Sequence, residues 1–342
     1  MRLPSRTAIR QWIREQSKVQ VVLPVVVALG MLAYVSSIAV APRSGSQLWI
    51  VIQHTWLPIL ILTFPYLAAR ALVWHELLSQ LCLDIPWRQL VASFAAGEMT
   101  KSLPAGVYTQ NYVLGRLAHF SKISNVRASM ATTAMLGLET ALAVPVVLII
   151  GIPGQPWLFW TLLGIVAAWI VVLMLVWMLL NYWANRLNPE RYTWLSNVVQ
   201  LATEFLEAGG ELLAIRTLRN LVPTAAYMLI YVIDLFLIIR AAGVHNVSFV
   251  HTMAIYGAVV LAVVLIPIPT EIGITEFTGL GALLAYGVPA STAAIIMLSL
   301  RILATGMTVL VAGILLLLMR DELRQAEIRR QEASGDGATA YP

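Results

Sequence analysis

From Val19 to Ala41 the chain carries no charged side chain, and long apolar runs recur at about 48–70, 128–151, 157–181, 221–241, 248–268 and 290–319. A helix needs about 20 such residues to cross the hydrocarbon core of a bilayer. Inside that core every backbone N–H and C=O must be paired within the protein, which favours helices. Composition agrees: 59% of residues are hydrophobic and 11% charged, where soluble domains carry about 25% charged residues. The chain therefore reads as an all-α, polytopic transmembrane helical bundle. It fills residues 20–320, between a basic arm (1–19) and a charged tail (321–342). Little of the 342 residues is left for a separate soluble domain, so activity belongs in or beside the membrane.

Charge distribution sets the expected orientation. Arg2, Arg6, Arg10, Arg14 and Lys18 crowd the arm. That is the positive-inside pattern of a cytoplasmic N terminus, in a multi-pass protein of the cell inner (cytoplasmic) membrane. Ile9, Trp12 and Ile13 follow helical spacing among these cations, as in a helix lying on the membrane face. The net charge of +5 is this distribution rather than a nucleic-acid signal, and anionic headgroups are its natural counterpart. Ala39-Val40-Ala41 looks like a cleavage site, but the apolar stretch before it exceeds the usual 7–15-residue signal core and Pro42 follows. It reads as a retained first span. Cys82 is the only cysteine, so no intrachain disulfide or Cys-rich metal site can form.

Between the second and third spans lies a mixed segment, 71–127, with Arg88, Lys101, Arg116, Lys122 and Arg127; it is expected to open to the cytoplasm. Residues 151–156 form an uncharged outer turn. In 189–220, Leu195, Val198, Val199, Ala202, Phe205 and Leu206 share one helical face, with Glu204, Glu207 and Glu211 off it. This predicts a cytoplasmic amphipathic linker helix. Basic residues at both ends favour an even number of crossings. Eight result if the piece at 272–287 crosses and the one around Pro104 is re-entrant; seven, with an outer C terminus, is the alternative.

Two proline breaks collect the charges. The first runs from Gly97 to Gly106 around Pro104 and holds Glu98 and Lys101, with Arg116 beyond. The second runs from Ile266 to Glu276 around Pro267 and Pro269 and holds Glu271 and Glu276, with Arg301 beyond. A charge at membrane depth costs at least about 2.5–3.5 kcal/mol and marks a pathway or site. Broken backbone there needs protein or a watery cavity around it. Lys101 and Arg116 suit phosphate, the arginine as a rigid fork and the lysine as a compact cation. Glu98 lies three residues before Lys101, an intrahelical pairing distance. Arg301 lies too deep in the final span to reach water and needs an internal partner, for which Glu276 is the first candidate. Glu139 and Asp234 stand as isolated intramembrane acids that either pair with a base or carry a proton.

Sliding the chain by 165 residues sets Pro104 on Pro269, Asn111 on Glu276, Tyr112 on Phe277 and Ala128 on Ala293. This is the grammar of an internal repeat, and transporters built of repeats bind substrate where discontinuous helices meet. His54, His75 and His251 lack metal-ligand spacing, and no nucleotide, metallohydrolase or serine-nucleophile motif is visible. The expectation is a protein that is not an enzyme and needs no cofactor or metal.

The block from Thr100 to Gly106, with Arg116 following, resembles the K-x-L-P-G…R block of the flippase-like family. That family corresponds to the transmembrane region of lysylphosphatidylglycerol synthase. The stretch from Pro269 to Glu276 resembles its P-x-G-G-x-G-x-x-E block, and Arg301 the arginine of its last helix. The likeness covers about 20–320. It departs where Thr140 follows Glu139 and where Glu271-Ile272 replaces a glycine pair. The resemblance implies a lipid or lipid-linked substrate. With the charges, it leads to the expectation of a flippase for an anionic phospholipid or polyprenyl-phosphate-linked lipid. Lys101, Arg116 and Glu98 would be at a cationic mouth, and Glu276, Arg301 and Glu271 at a gate on the opposite break. The alternative is a non-catalytic membrane subunit that recruits or stabilises an envelope lipid or glycan biosynthesis enzyme.

Overall fold

The computed structural model describes residues 44–103, 106–153, 193–212, 215–265 and 271–320, with short pieces at 29–37 and single positions between 164 and 182. The basic arm, most of the first and fourth spans, Pro104, Pro269 and the tail lie outside the described residues. Among the described residues the regular structure is helical, with no strand. Nine helices carry the argument: α1 (Ser44–Gln80), α2 (Trp87–Thr100), α3 (Thr109–Leu117), α4 (Lys122–Ile150), α5 (Thr193–Leu212), α6 (Leu221–Ala241), α7 (Phe249–Leu265), α8 (Ile274–Ala285) and α9 (Ala290–Leu318).

Four of these, α1, α4, α6 and α9, are long and apolar enough to cross a bilayer, while α7 and α8 are apolar but shorter. The twelve residues of α8 rise only about 18 Å, against a hydrocarbon core of about 30 Å. The helix after the second break is therefore shorter than the core that the eight-crossing reading asks that piece to span. The α1 helix runs ten residues past its expected end at 70, with Pro58 and Pro65 inside it. Thr55 and Thr63 each donate their hydroxyl to a carbonyl four residues back, on Val51 and Ile59.

The segment 71–127 is largely helical. Its helices α2 and α3 fold back on one another as a hairpin, with Leu90, Phe94 and Leu114 in the core. Gly97 lies so close to Gln110 that an added Cβ would stand 2.7 Å from the glutamine Cβ. At the tip, Thr100 Oγ1 donates to the Gly106 carbonyl at 3.1 Å. A Cβ on Gly106 would fall 1.6 Å from the Thr100 carbonyl oxygen, so only glycine fits there. In the second half of the chain α8 packs against both α7 and α9, with Gly279 against Met297.

The packing is cross-braced. The α2 helix leans on the C-terminal half of α9, and α7 leans on α4. Down the centre, α1 and α6 run antiparallel in extensive contact: Thr217 Oγ1, just before α6, donates to Gln80 Oε1 at the end of α1. Two apolar clusters fill the bundle. One is built on Trp74, Leu77, Leu90, Phe94 and Met135, the other on Ile59, Ile238, Ile239, Leu283 and Ile296. Tyr231 and Tyr256 pack against both. The amphipathic segment forms α5, which lies on α4 through Val199, Ala208 and Leu212. Its inward face is rotated from the expected stripe, leaving Val198 exposed.

Candidate functional site

At the seam between the two apolar clusters, charged side chains from both proline breaks meet. On α1, Tyr66 and Arg70 lie one turn apart, and Arg70 Nη1 donates to Tyr66 Oη at 2.7 Å. The same phenol accepts from Nζ of Lys101, the residue just past α2, at 3.0 Å. Lys101 Nζ stands 2.8 Å from Glu98 Oε2, and Arg70 Nε 3.4 Å from Glu98 Oε1. Arg70 Nη2 reaches Glu139 Oε1 of α4 at 3.6 Å, and Tyr227 Oη of α6 donates to that oxygen at 2.8 Å. All these charged side chains are buried, Arg70 and Lys101 with 7% of the side chain exposed and Glu98 with 3%.

The second break joins this cluster through α9. Arg301 Nε donates to Glu276 Oε1, its Nη2 to the Glu271 carbonyl at 3.1 Å, and its Nη1 to Ser102 Oγ at 3.3 Å. One guanidinium thus touches residues of both breaks. Glu276 also accepts the Gly273 N–H at 2.7 Å through its other oxygen. Gly273 has φ of +85°, the left-handed conformation that glycine adopts at no steric cost, and this lets α8 start directly under its own carboxylate. Arg301 opens a π-helical turn, Arg301–Thr305, within α9. Such widened turns place side chains at functional sites.

The sequence reading gave the two breaks separate roles, a cationic mouth and a gate on the opposite break. The structure brings them together, because the two broken hairpins meet at the bundle centre and Arg301 bridges them. Glu139 is not isolated either, being held by Arg70 and Tyr227. Asp234 is buried on α6, and its Oδ1 has no hydrogen-bond partner among the described residues. Arg116 does not join Lys101. It sits at the far end of α3 with its guanidinium 4.9 Å from the Tyr112 ring, lining a separate pocket of about 720 Å³.

The central cluster borders a cavity of about 70 Å³, lined by Tyr66, Arg70, Lys101, Glu139, Glu271 and Tyr256 together with a valine wall from α7. Tyr256 also lines an apolar groove of about 280 Å³ between α4, α6 and α7. Polar and apolar spaces therefore adjoin across one ring. The three cations Arg70, Lys101 and Arg301 face four carboxylates, Glu98, Glu139, Glu271 and Glu276. Each cation already stands against an anion. Among the described residues no group of His, Cys, Asp and Glu side chains is arranged to hold a metal ion.

Sequence reasoning missed Arg70 and the tyrosines around it. Arg70 falls at the end of the second apolar run, where an arginine reads as an interfacial anchor. The Tyr66–Arg70 spacing of one helical turn was the available signal.

Residues 21–313 match the family described as the lysylphosphatidylglycerol synthase TM region, and the chain belongs to that family. No curated protein and no solved structure matches it.

Proposed function

From this membership we propose that the chain is a lipid transporter, without enzymatic activity of its own, that moves an anionic phospholipid or a polyprenyl-phosphate-linked lipid between leaflets. The observation that carries the reading is the meeting of both breaks on Arg301, beside a small polar cavity that adjoins an apolar groove. A lipid needs such a pairing, with a polar place for the headgroup next to a dry one for its chains. At about 70 Å³ the cavity has room for a few waters and not for a headgroup. The arrangement is accordingly the closed state. In the proposed cycle the Arg301–Glu276 and Lys101–Glu98 pairs separate as the hairpins part, and the released cations meet the phosphate.

We read the two halves as an inverted repeat. A shift of 165 residues carries Pro104 onto Pro269 in the sequence. It also carries Thr109, the first of α3, onto Ile274, the first of α8. The exchanged contacts, α2 on α9 and α7 on α4, and the antiparallel α1–α6 pair support a two-fold axis in the membrane plane. Positive-inside placement puts the end bearing Arg88, Lys122 and Arg127 at the cytoplasmic face of the inner membrane, together with the N terminus.

The test is translocation of fluorescent anionic lipids by the purified protein in vesicles. Movement that is lost in Arg301→Gln supports the reading, and no movement of any anionic class removes it. A second reading, a membrane subunit that stabilises an envelope-biosynthesis enzyme, is favoured by the closed interior and the α5 surface. It predicts that altering the exposed face of α5 harms the partner enzyme more than Arg301→Gln does.

A further inference from the structure

A polar pocket lies apart from the central cluster, at the corner where α3 ends and α4 begins. It measures about 720 Å³, within the size range of small-molecule sites. Tyr108, Asn111, Tyr112, Arg116, His119 and Asn125 line it, and no carboxylate among the described residues does. The corner is shaped by a glycine: Asn125 Oδ1 occupies the place of a Gly115 Cβ, 2.0 Å from where that atom would be. This close approach draws α4 against α3.

Two features of the lining call for an anion. The Arg116 guanidinium carbon lies 4.9 Å from the centre of the Tyr112 ring and has no carboxylate partner among the described residues, unlike Arg70, Lys101 and Arg301. An arginine side chain offers a fork of donors, the geometry that grips a phosphate through two oxygens. Asn111, 3% exposed, accepts from Thr132 Oγ1 at its Oδ1, while its Nδ2 donor has no acceptor among the described residues. Buried donors are almost always paired, and an oxygen-rich ligand would supply what this one lacks. The central cavity is the poorer place for a bare anion, since carboxylates outnumber cations there.

We propose that this pocket is a phosphate-binding station, with Arg116 as the main contact and Asn111 as a supporting donor. It rests on the lipid-transport reading for its purpose: a phosphate headgroup docks here before entering the central cluster. The two places are linked through polar side chains. Asn111 shares Thr132 with Gln110, whose Nε2 donates to the threonine at 2.9 Å, and Gln110 lies against Gly97, beside Glu98.

The experiment uses the full chain in nanodiscs of neutral lipid. Binding of glycerol 3-phosphate and of dihexanoyl phosphatidic acid is measured by calorimetry for wild type, Arg116→Gln, Arg116→Lys and Arg240→Gln. The proposal expects binding weakened about tenfold or more by Arg116→Gln, partly restored by Arg116→Lys, and unchanged by Arg240→Gln at the other end of the bundle. Arg116 is exposed, so its replacement leaves the core untouched. Equal binding of both probes identifies free phosphate esters as sufficient, and binding of the lipid probe alone identifies a lipid headgroup; either supports the site. Absence of binding by both, or unchanged binding in Arg116→Gln, overturns it. Because binding is read without translocation, a vesicle assay that shows no lipid movement would count against the transport reading and leave the station standing.

Discussion

Arg301 is the residue on which the two halves of the site close. Its partner Glu276 has no exposed side-chain surface. Removing one member of a buried ion pair leaves the other uncompensated, at about 3–5 kcal/mol. Arg301→Met is therefore expected to lower thermal stability in detergent by about that amount, and Glu276→Gln added to it to recover part of the loss. Additive losses in this double-mutant cycle would mean that the two side chains do not act as a pair. The pairing was legible in the sequence, because an arginine deep in a span has few ways to be satisfied. Arg70 was not: its place depends on Glu98 and Glu139, far along the chain, and hydropathy reports only where an apolar run ends. Gly106 shows the same limit. Nothing in its neighbours announces that the Thr100 carbonyl fills its Cβ position, yet Gly106→Ala is expected to open the hairpin tip. A crosslinking or accessibility probe at Ser102 should then read it as more exposed than in wild type.

Among the elements, the hairpin of α2 and α3 and the clamp of α5 on α4 make distinct predictions. The hairpin closes on Gly97, so Gly97→Leu should force α2 from α3 and cost stability by overpacking, about 1–3 kcal/mol. A melting temperature like that of wild type would show that the contact yields freely. The α5 clamp is a surface feature: Arg127 reaches Glu204 at 2.9 Å and Glu211 at 2.5 Å, with Glu211 45% exposed. Screened pairs of this kind are worth about 0–1 kcal/mol. Arg127→Ala should thus scarcely change global stability while raising hydrogen exchange across 193–212. The breaks and the long spans were readable from proline, glycine and run length. The α1 extension to Gln80 and the inward fold of 71–127 were not. Arg70, Glu98 and Lys101 neutralise one another inside the bundle, a pairing that a linear reading assigns to water.

In the whole molecule, the two broken hairpins meet at the bundle centre, where Arg301 touches both. Repeat spacing suggested their kinship, but their convergence is a property of the cross-braced packing of α2 on α9 and α7 on α4. The same packing separates two cations that the sequence had placed together: Lys101 lies at the centre and Arg116 at the corner of α3 and α4. The central claim is that the charge cluster around Arg301 gates lipid movement. Its most direct measurement is translocation of a fluorescent anionic phospholipid in vesicles holding equal amounts of folded wild type and Arg301→Gln. The account predicts movement by the wild type that falls at least about tenfold in the variant, the loss expected when a charge contact worth 1.4 kcal/mol or more is removed. Equal rates in the two, with the variant still folded, would contradict it.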